Sequence, residues 1–499
     1  MLGDISVRID QMRSGLSDTP RTQSIFKVHS KLRSENEAAY EPQVVSIGPY
    51  HHGKPELKKM EMYKLRYLNM LLHRRGESSA KNYVQAMAEL QEEAKSSYAD
   101  EINLSDGDFV EMLCLDGCFV IMFLRKLFQL EEYDKNDPIF QMSWLISATK
   151  RDLILFENQL PFIVLQKLFD MTKLQDEEEK LNDLAILCLS SLMPGSYPGQ
   201  SSYSTIAASH RAVHLLDLMH KNLTASFSNT LTYSEPEPTK TLLQKPVIEL
   251  LSSGTKFERA KKSVPLLRIT FKNGVVKIPP LFVDDHTECI FRNLIAYEQY
   301  MSKPFETWRY VTDYISFMDL LIDSPSDVEK LRNRDIIRHG LGSDKAVSKM
   351  FNKLSSDVSI EVPFCYHEVF EEMRKYSRNR SPFYSPERMP GEMLKFISTG
   401  LDRKLSQISE TSNEKCIFRV HDGLRRHNPQ AYEPEIVAIG PYHHAKSKLP
   451  KMEKHKLWYL QQLLLQRGES SVERYIVASS QLEERTRRCY AEETIKSIL

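Results

Sequence analysis

The chain has 499 residues, 67 of them basic and 67 acidic, so its formal net charge is zero. With 41% apolar and 27% charged residues it has the make-up of an ordinary globular protein, long enough for two or three domains at roughly 150 residues each. The neutral balance argues against a general nucleic-acid binder, and a total of only 18 glycines argues against glycine-rich phosphate loops and glycine-punctuated all-β folds.

Residues 1–15, MLGDISVRIDQMRSG, carry charges where a signal peptide needs an apolar stretch, so none is expected. The sequons at Asn103 and Asn222 are then expected to go unused, and the seven cysteines, none in a Cys-x-x-Cys pair, to stay reduced. No stretch approaches the ~18 consecutive apolar residues of a membrane span, so no integral membrane segment is expected.

In chain order, residues 44–47 read as a short strand, and residues 58–75 as a basic amphipathic helix. In that helix Met60, Tyr63, Tyr67, Leu68, Leu71 and Leu72 make an apolar stripe for the core. Lys58, Lys59, Lys64, Arg66, Arg74 and Arg75 form a solvated basic face, with contact to anionic lipid or a partner as the rival reading. Residues 109–130 are a long apolar helix pattern, 151–170 another in which Pro161 marks a kink or break, and 185–192 a short third. Residues 193–204 and 228–245 read as loops around a helix at 210–220. The clearest β signal is 266–283, where alternating β-branched runs flank Asn273-Gly274, a pair suited to a type I′ hairpin turn. Helices resume at 287 and continue through 314–322, 327–333 and 343–354, and 381–390 looks like a linker. The fold class is mainly α (α+β), a multi-helical domain with a small β-hairpin, followed by a partial repeat of its N-terminal segment.

That repeat is the strongest signal. IFKVHSKLRSENEAAYEPQVVSIGPYHHG from Ile25 and IFRVHDGLRRHNPQAYEPEIVAIGPYHHA from Ile417 run in register without a gap, as far as Gly107 and Leu499. The expected organisation is an extension at 1–20, a nearly complete domain at 21–380, a linker at 381–415 and a truncated second copy at 416–499.

Seven segments occurring in order, among them AYEPQVVSIGPYHHG, LDGCF, RDLILFENQLPF, HLLDLMH and IPPLFVDDHTECIFRNLIAYEQ, resemble the plant domain-of-unknown-function 247 family over about residues 20–360. The resemblance implies a protein-interaction or signalling role, since some members act in pollen–stigma recognition, and it brings no catalytic residues to carry over. It also implies a C-terminal membrane-anchoring helix. Here the polar, proline-bearing residues 378–413 stand in its place, and Met122 stands where relatives are expected to carry glutamate.

Each candidate for chemistry has a bland rival. His51-His52, matched by His443-His444, read as turn histidines, with metal or acid–base work as the alternative. His210 and His214 are i, i+4 neighbours with His220 near the same helix, but Arg211 stands where a metalloprotease motif needs glutamate. Glu157, Arg292 and Glu298 are polar residues in apolar surroundings, suited to a buried network or, if convergent in a cleft, to acid–base catalysis. In the run Asp284, Asp285, His286 and Glu288, Asp285 or His286 is expected to cap the helix beginning at Thr287.

The functional expectation is a non-enzymatic interaction or signalling module. An enzyme using Glu157, Arg292 and Glu298 is the first alternative, and a membrane-peripheral recognition protein acting with an anchored relative the second. No catalytic or metal residue is assigned, and the binding candidates are Glu157, Arg292, Glu298, His51 and His52. No cofactor and no nucleic acid is expected. A protein partner and homo- or hetero-oligomers are expected, in the cytoplasm or peripherally at a membrane.

Overall fold

In the computed structural model, residues 23–128, 137–174, 177–194, 212–228, 246–302, 309–355 and 364–380 are described, all within the unit Thr22–Ser385. The apolar pattern at 109–130 forms the axis of this unit, the central helix Asp106–Leu127. The Ser105 hydroxyl starts it by accepting from the Asp108 N–H at 3.2 Å. Asp106 and Asp108 sit in its first turn and Arg125 and Lys126 in its last, the order that the helix dipole favours. Sixteen of its 22 residues are buried, so other elements must surround it. Lys59–Arg75 (the basic helix), Lys81–Ser96, Phe162–Thr172 and Leu181–Leu189 all pack on it. Gly117 permits one close approach, since a Cβ there would come within 2.4 Å of Leu168 Cδ1.

The helix Thr287–Met301 joins this assembly to the rest. It touches the turn Glu37–Ala39 and the helix Leu215–Ser228 on one side, and Tyr310–Leu321 and Asp344–Leu354 on the other. Pro325–Arg332 packs on Asp344–Leu354 and starts with a capping box between Ser324 and Asp327. The fold is mainly α with small sheets, as read from the sequence.

The hairpin is present: Thr270–Lys272 pairs antiparallel with Val275–Ile278, and Asn273 (φ 53°) and Gly274 (φ 81°) take the left-handed backbone of the expected turn. Two pairings were not legible. Lys256–Arg259 adds to Val275–Ile278 in parallel, and Leu281–Val283 pairs in parallel with Ile337–His339. Strands of three or four residues whose partners lie far along the chain leave little periodic signal.

Of the kink or break read at Pro161 the break holds: Ser143–Asp152 ends, 153–161 is without helix, and Phe162–Thr172 starts directly after Pro161. Two expectations are corrected. Residues 44–47 form no strand. Lys64, read as part of a solvated face, is fully buried. The proposed extension 1–20, linker 381–415 and second copy 416–499 lie outside the described residues, as do His210, most of both loops, Cys416 and Cys489. None of the five described cysteines forms a disulfide.

Candidate functional site

Side chains, not a neighbouring strand, take the backbone donors of Gln43, Val44, Val45, Ile47 and Gly48, and this segment forms no strand. The Asp152 carboxylate accepts from the N–H groups of Gln43, Val44 and Val45 at 2.7 to 3.0 Å. Asn158 Oδ1 accepts from Ile47 N–H at 2.7 Å, and Asp116 Oδ2 from Gly48 N–H at 2.9 Å. Gln159 Nε2 donates to the carbonyls of Leu153 and Leu155 at 2.8 Å, while its Oε1 accepts from Leu216 N–H at 3.1 Å. All these polar side chains are buried, where a missing partner costs about 1–3 kcal/mol.

Glu157 anchors the most convergent charged group. Its Oε1 accepts from Val28 N–H and its Oε2 from Arg33 Nη2, both at 2.5 Å. Arg33 Nη1 reaches Glu41 Oε1 at 2.6 Å, and Lys54 closes on the other Glu41 oxygen. His51 lies between the two carboxylates, with Nδ1 3.4 Å from Glu41 and Nε2 3.5 Å from Glu157. It is 2% exposed, and neither ring nitrogen makes a hydrogen bond. Burial, with Lys54 and Arg33 close by, lowers the His51 pKa to about 4, so the ring is neutral at pH 7. Burial raises Glu157 against the pull of the Val28 N–H and Arg33. Burial also opposes ionisation of Glu41, but Lys54 and Arg33 prevail and hold it below the usual carboxylate range. Arg33, Glu41 and Lys54 keep 23 to 32% of their side chains exposed, so the cluster has a wet rim and a dry centre. Two cations and two carboxylates balance, and a neutral imidazole sits between them.

His52 lies beside it in the turn but is only half-buried, and its Nδ1 has no hydrogen-bond partner. Both histidines sit in the turn, as the sequence predicts, but both ring nitrogens of His51 and the Nδ1 of His52 have no hydrogen-bond partner.

The other candidates sit elsewhere. Glu298 caps the helix Tyr310–Leu321, accepting from Val311 N–H at 2.9 Å and Thr312 N–H at 2.8 Å, and its Oε1 lies 2.7 Å from His220 Nε2. Arg292 pairs with Glu288 at 2.8 Å, one turn away on the same helix. Among the described residues no hydrogen bond or ion pair joins any two of Glu157, Arg292 and Glu298. His214 accepts from Asp217 N–H at Nδ1 and meets the Ser24 carbonyl at Nε2, 3.2 Å away, which fixes the Nε2–H tautomer. The cap near Thr287 comes from Asp284, not from Asp285 or His286: its Oδ1 accepts from the N–H groups of His286 and Thr287. No group of three or more His, Cys, Asp or Glu among the described residues is placed to hold a metal ion.

A family model described as a plant protein of unknown function, DUF247, matches residues 25–396 and 417–498. The chain belongs to this family. Two Arabidopsis thaliana proteins are similar to it. UPF0481 protein At3g47200 is 32% identical over 377 residues, covering 71% of this chain and 77% of that protein. Putative UPF0481 protein At3g02645 is 22% identical over 449 residues, covering 72% and 83%. No solved structure matches.

In this DUF247 chain, sequence reasoning found Glu157 and His51 but missed Arg33, Glu41 and Lys54. A signal for them was available in the repeat. Arg33, Glu41, His51 and Lys54 match Arg425, Glu433, His443 and Lys446 without change, although neighbouring positions differ. The same comparison flags Lys64, matched by Lys456.

Proposed function

We propose that this DUF247 chain is a non-enzymatic protein-interaction or signalling module. The observation that carries the reading is the engagement of its candidate catalytic groups. Glu157, Arg292 and Glu298 each hold separate structural partners, whereas acid–base catalysis needs two groups within reach of one substrate position. Polar residues of the family segments act as pins between chain segments, which suits a scaffold presenting a surface. The same reading takes 21–380 as the nearly complete domain, 381–415 as a linker and 416–499 as a second copy of its N-terminal part; the separate family match at 417–498 supports it.

A second reading, an enzyme, rests on His51, whose two buried ring nitrogens face carboxylates without a hydrogen bond. One experiment separates the two readings. The full chain and its E157Q and H51N variants are assayed on ester, phosphoester, peptide and glycoside substrates, with thermal unfolding in parallel. The interaction reading expects no turnover and a lowered Tm in E157Q. Turnover that disappears in a variant of unchanged Tm would replace it with the enzymatic reading.

A further inference from the structure

The outer face of the basic helix is the least ordinary surface among the described residues. Met62 is 68% exposed and Leu65 58%, one turn apart. Lys58, Lys59, Asn69 and His73 are exposed around them, with Arg66 half-buried alongside. The acidic residue of the same helix, Glu61, keeps 35% of its side chain exposed, but its Oε1 lies 2.7 Å from the buried Lys64, so its charge is already paired. Glu56, in the preceding turn Pro55–Leu57, is the nearby exposed carboxylate. Two lysines at a helix start oppose the helix dipole, a placement that helix stability alone does not favour.

The repeat supplies an independent observation. At the buried positions Met60, Lys64, Tyr67, Leu68 and Leu71 the second copy has the same residues: Met452, Lys456, Tyr459, Leu460 and Leu463. At the outward positions it has changed residues while keeping the mixture. Lys59 and Leu65 are matched by Lys451 and Leu457, while Lys58 becomes Pro450, Met62 becomes Lys454 and Arg66 becomes Trp458. Packing does not require bulky apolar and cationic residues together on an outward face, so their retention points to something outside the fold.

We propose that this face docks on an anionic membrane surface, Met62 and Leu65 entering the headgroup layer while Lys58 and Lys59 meet lipid phosphates and carboxylates. The proposal does not depend on the interaction reading above. Charge complementarity favours this occupant. Two apolar tips on one helix fall well short of the ~800 Å² per partner that a stable protein–protein contact buries, whereas a charged lipid layer adds attraction at every basic residue.

The test is co-sedimentation of the full chain with vesicles of phosphatidylcholine alone or mixed with phosphatidylserine, at low and high salt. Binding is expected only with phosphatidylserine and weakens with salt. K58S/K59S loses about 25-fold in apparent affinity, at roughly five-fold per basic residue, and M62S/L65S loses roughly ten-fold or more. W144S, which alters an exposed tryptophan elsewhere, leaves binding unchanged. Circular dichroism checks that each variant is folded. The proposal is overturned by absence of binding to the mixed vesicles, by variants that bind as wild type, or by an equal loss in W144S. It is overturned equally if M62S/L65S abolishes a concentration-dependent self-association while vesicles are not bound, since the face then belongs to a second copy of the chain.

Discussion

Lys64 Nζ lies 2.6 Å from Asp116 Oδ1, and neither side chain is more than 1% exposed. Glu61 adds a second carboxylate oxygen at 2.7 Å, and the other Asp116 oxygen holds the Gly48 N–H, so the pair ties the basic helix, the central helix and the 43–48 segment together. Burial opposes a charged Lys64, but Asp116 and Glu61 prevail and raise its pKa above the ordinary lysine value. Removing one partner strands the other charge in a dry core. Asp116→Ala is expected to cost about 3–5 kcal/mol. The double variant K64M/D116L is expected to cost less than the sum of its two single changes, by about 0.5–3 kcal/mol. Urea unfolding measures both, and strict additivity would mean that the pair is not coupled.

Gly48 and Gly53 separate two costs of a side chain. Both have left-handed backbones, φ +78° and +77°, but a Cβ on Gly48 would come within 2.4 Å of the Gln159 carbonyl oxygen, while one on Gly53 meets nothing within 4 Å. Gly53→Ala is expected to cost about 1–2 kcal/mol for its conformation alone. Gly48→Ala adds a clash with backbone, for about 2–5 kcal/mol in all. Equal losses of Tm in the two variants would contradict the geometry.

His51 and His214 set the acid limb of stability. Burial is the largest cause in each case, and both pKa values fall to about 4 from 6.5. The unfolded chain therefore takes up a proton that the folded one refuses. The stabilisation is complete above pH 6.5 and is lost as pH falls from 6.5 to 4, about 3 kcal/mol for each histidine. Unfolding free energies measured across this window should fall less steeply in H51N and in H214N than in wild type. A variant with the wild-type slope would exclude that histidine as a source.

Asp313 acts in the opposite sense. Its Oδ2 accepts from Cys365 N–H at 2.8 Å, and burial, with Glu298 adding to it, raises its pKa to about 7 from 3.8. The folded chain keeps a proton that the unfolded chain loses, so stability falls as pH rises from 3.8 to 7 and is level above, by at most about 4 kcal/mol. Asp313→Asn keeps an acceptor and removes the charge. It should match wild type near pH 4 and exceed it near pH 8 in Tm. A variant less stable than wild type at pH 8 would refute the assignment.

Much of the fold was legible because its signals are local. The apolar run at 109–130, the helix at 287–301 and the Asn273-Gly274 turn depend on residues within a few positions of one another, and each stands where the sequence places it. The candidate site was legible only in part. Glu157 and His51 were visible as polar residues in apolar company, but their partners were not, since Val28 and Glu157 are 129 positions apart.

By itself the sequence determined the helical periods, the hairpin turn, the in-register repeat and the family. Only the tertiary structure decided which buried polar groups face one another. Lys64 shows the reason. Helical periodicity sorts side chains by polarity and sends a lysine to solvent, yet its position on the basic helix faces Asp116 on the central helix. A charge leaves water only when packing brings a partner to it, and that packing is set by the crossing of two helices and not by either sequence pattern.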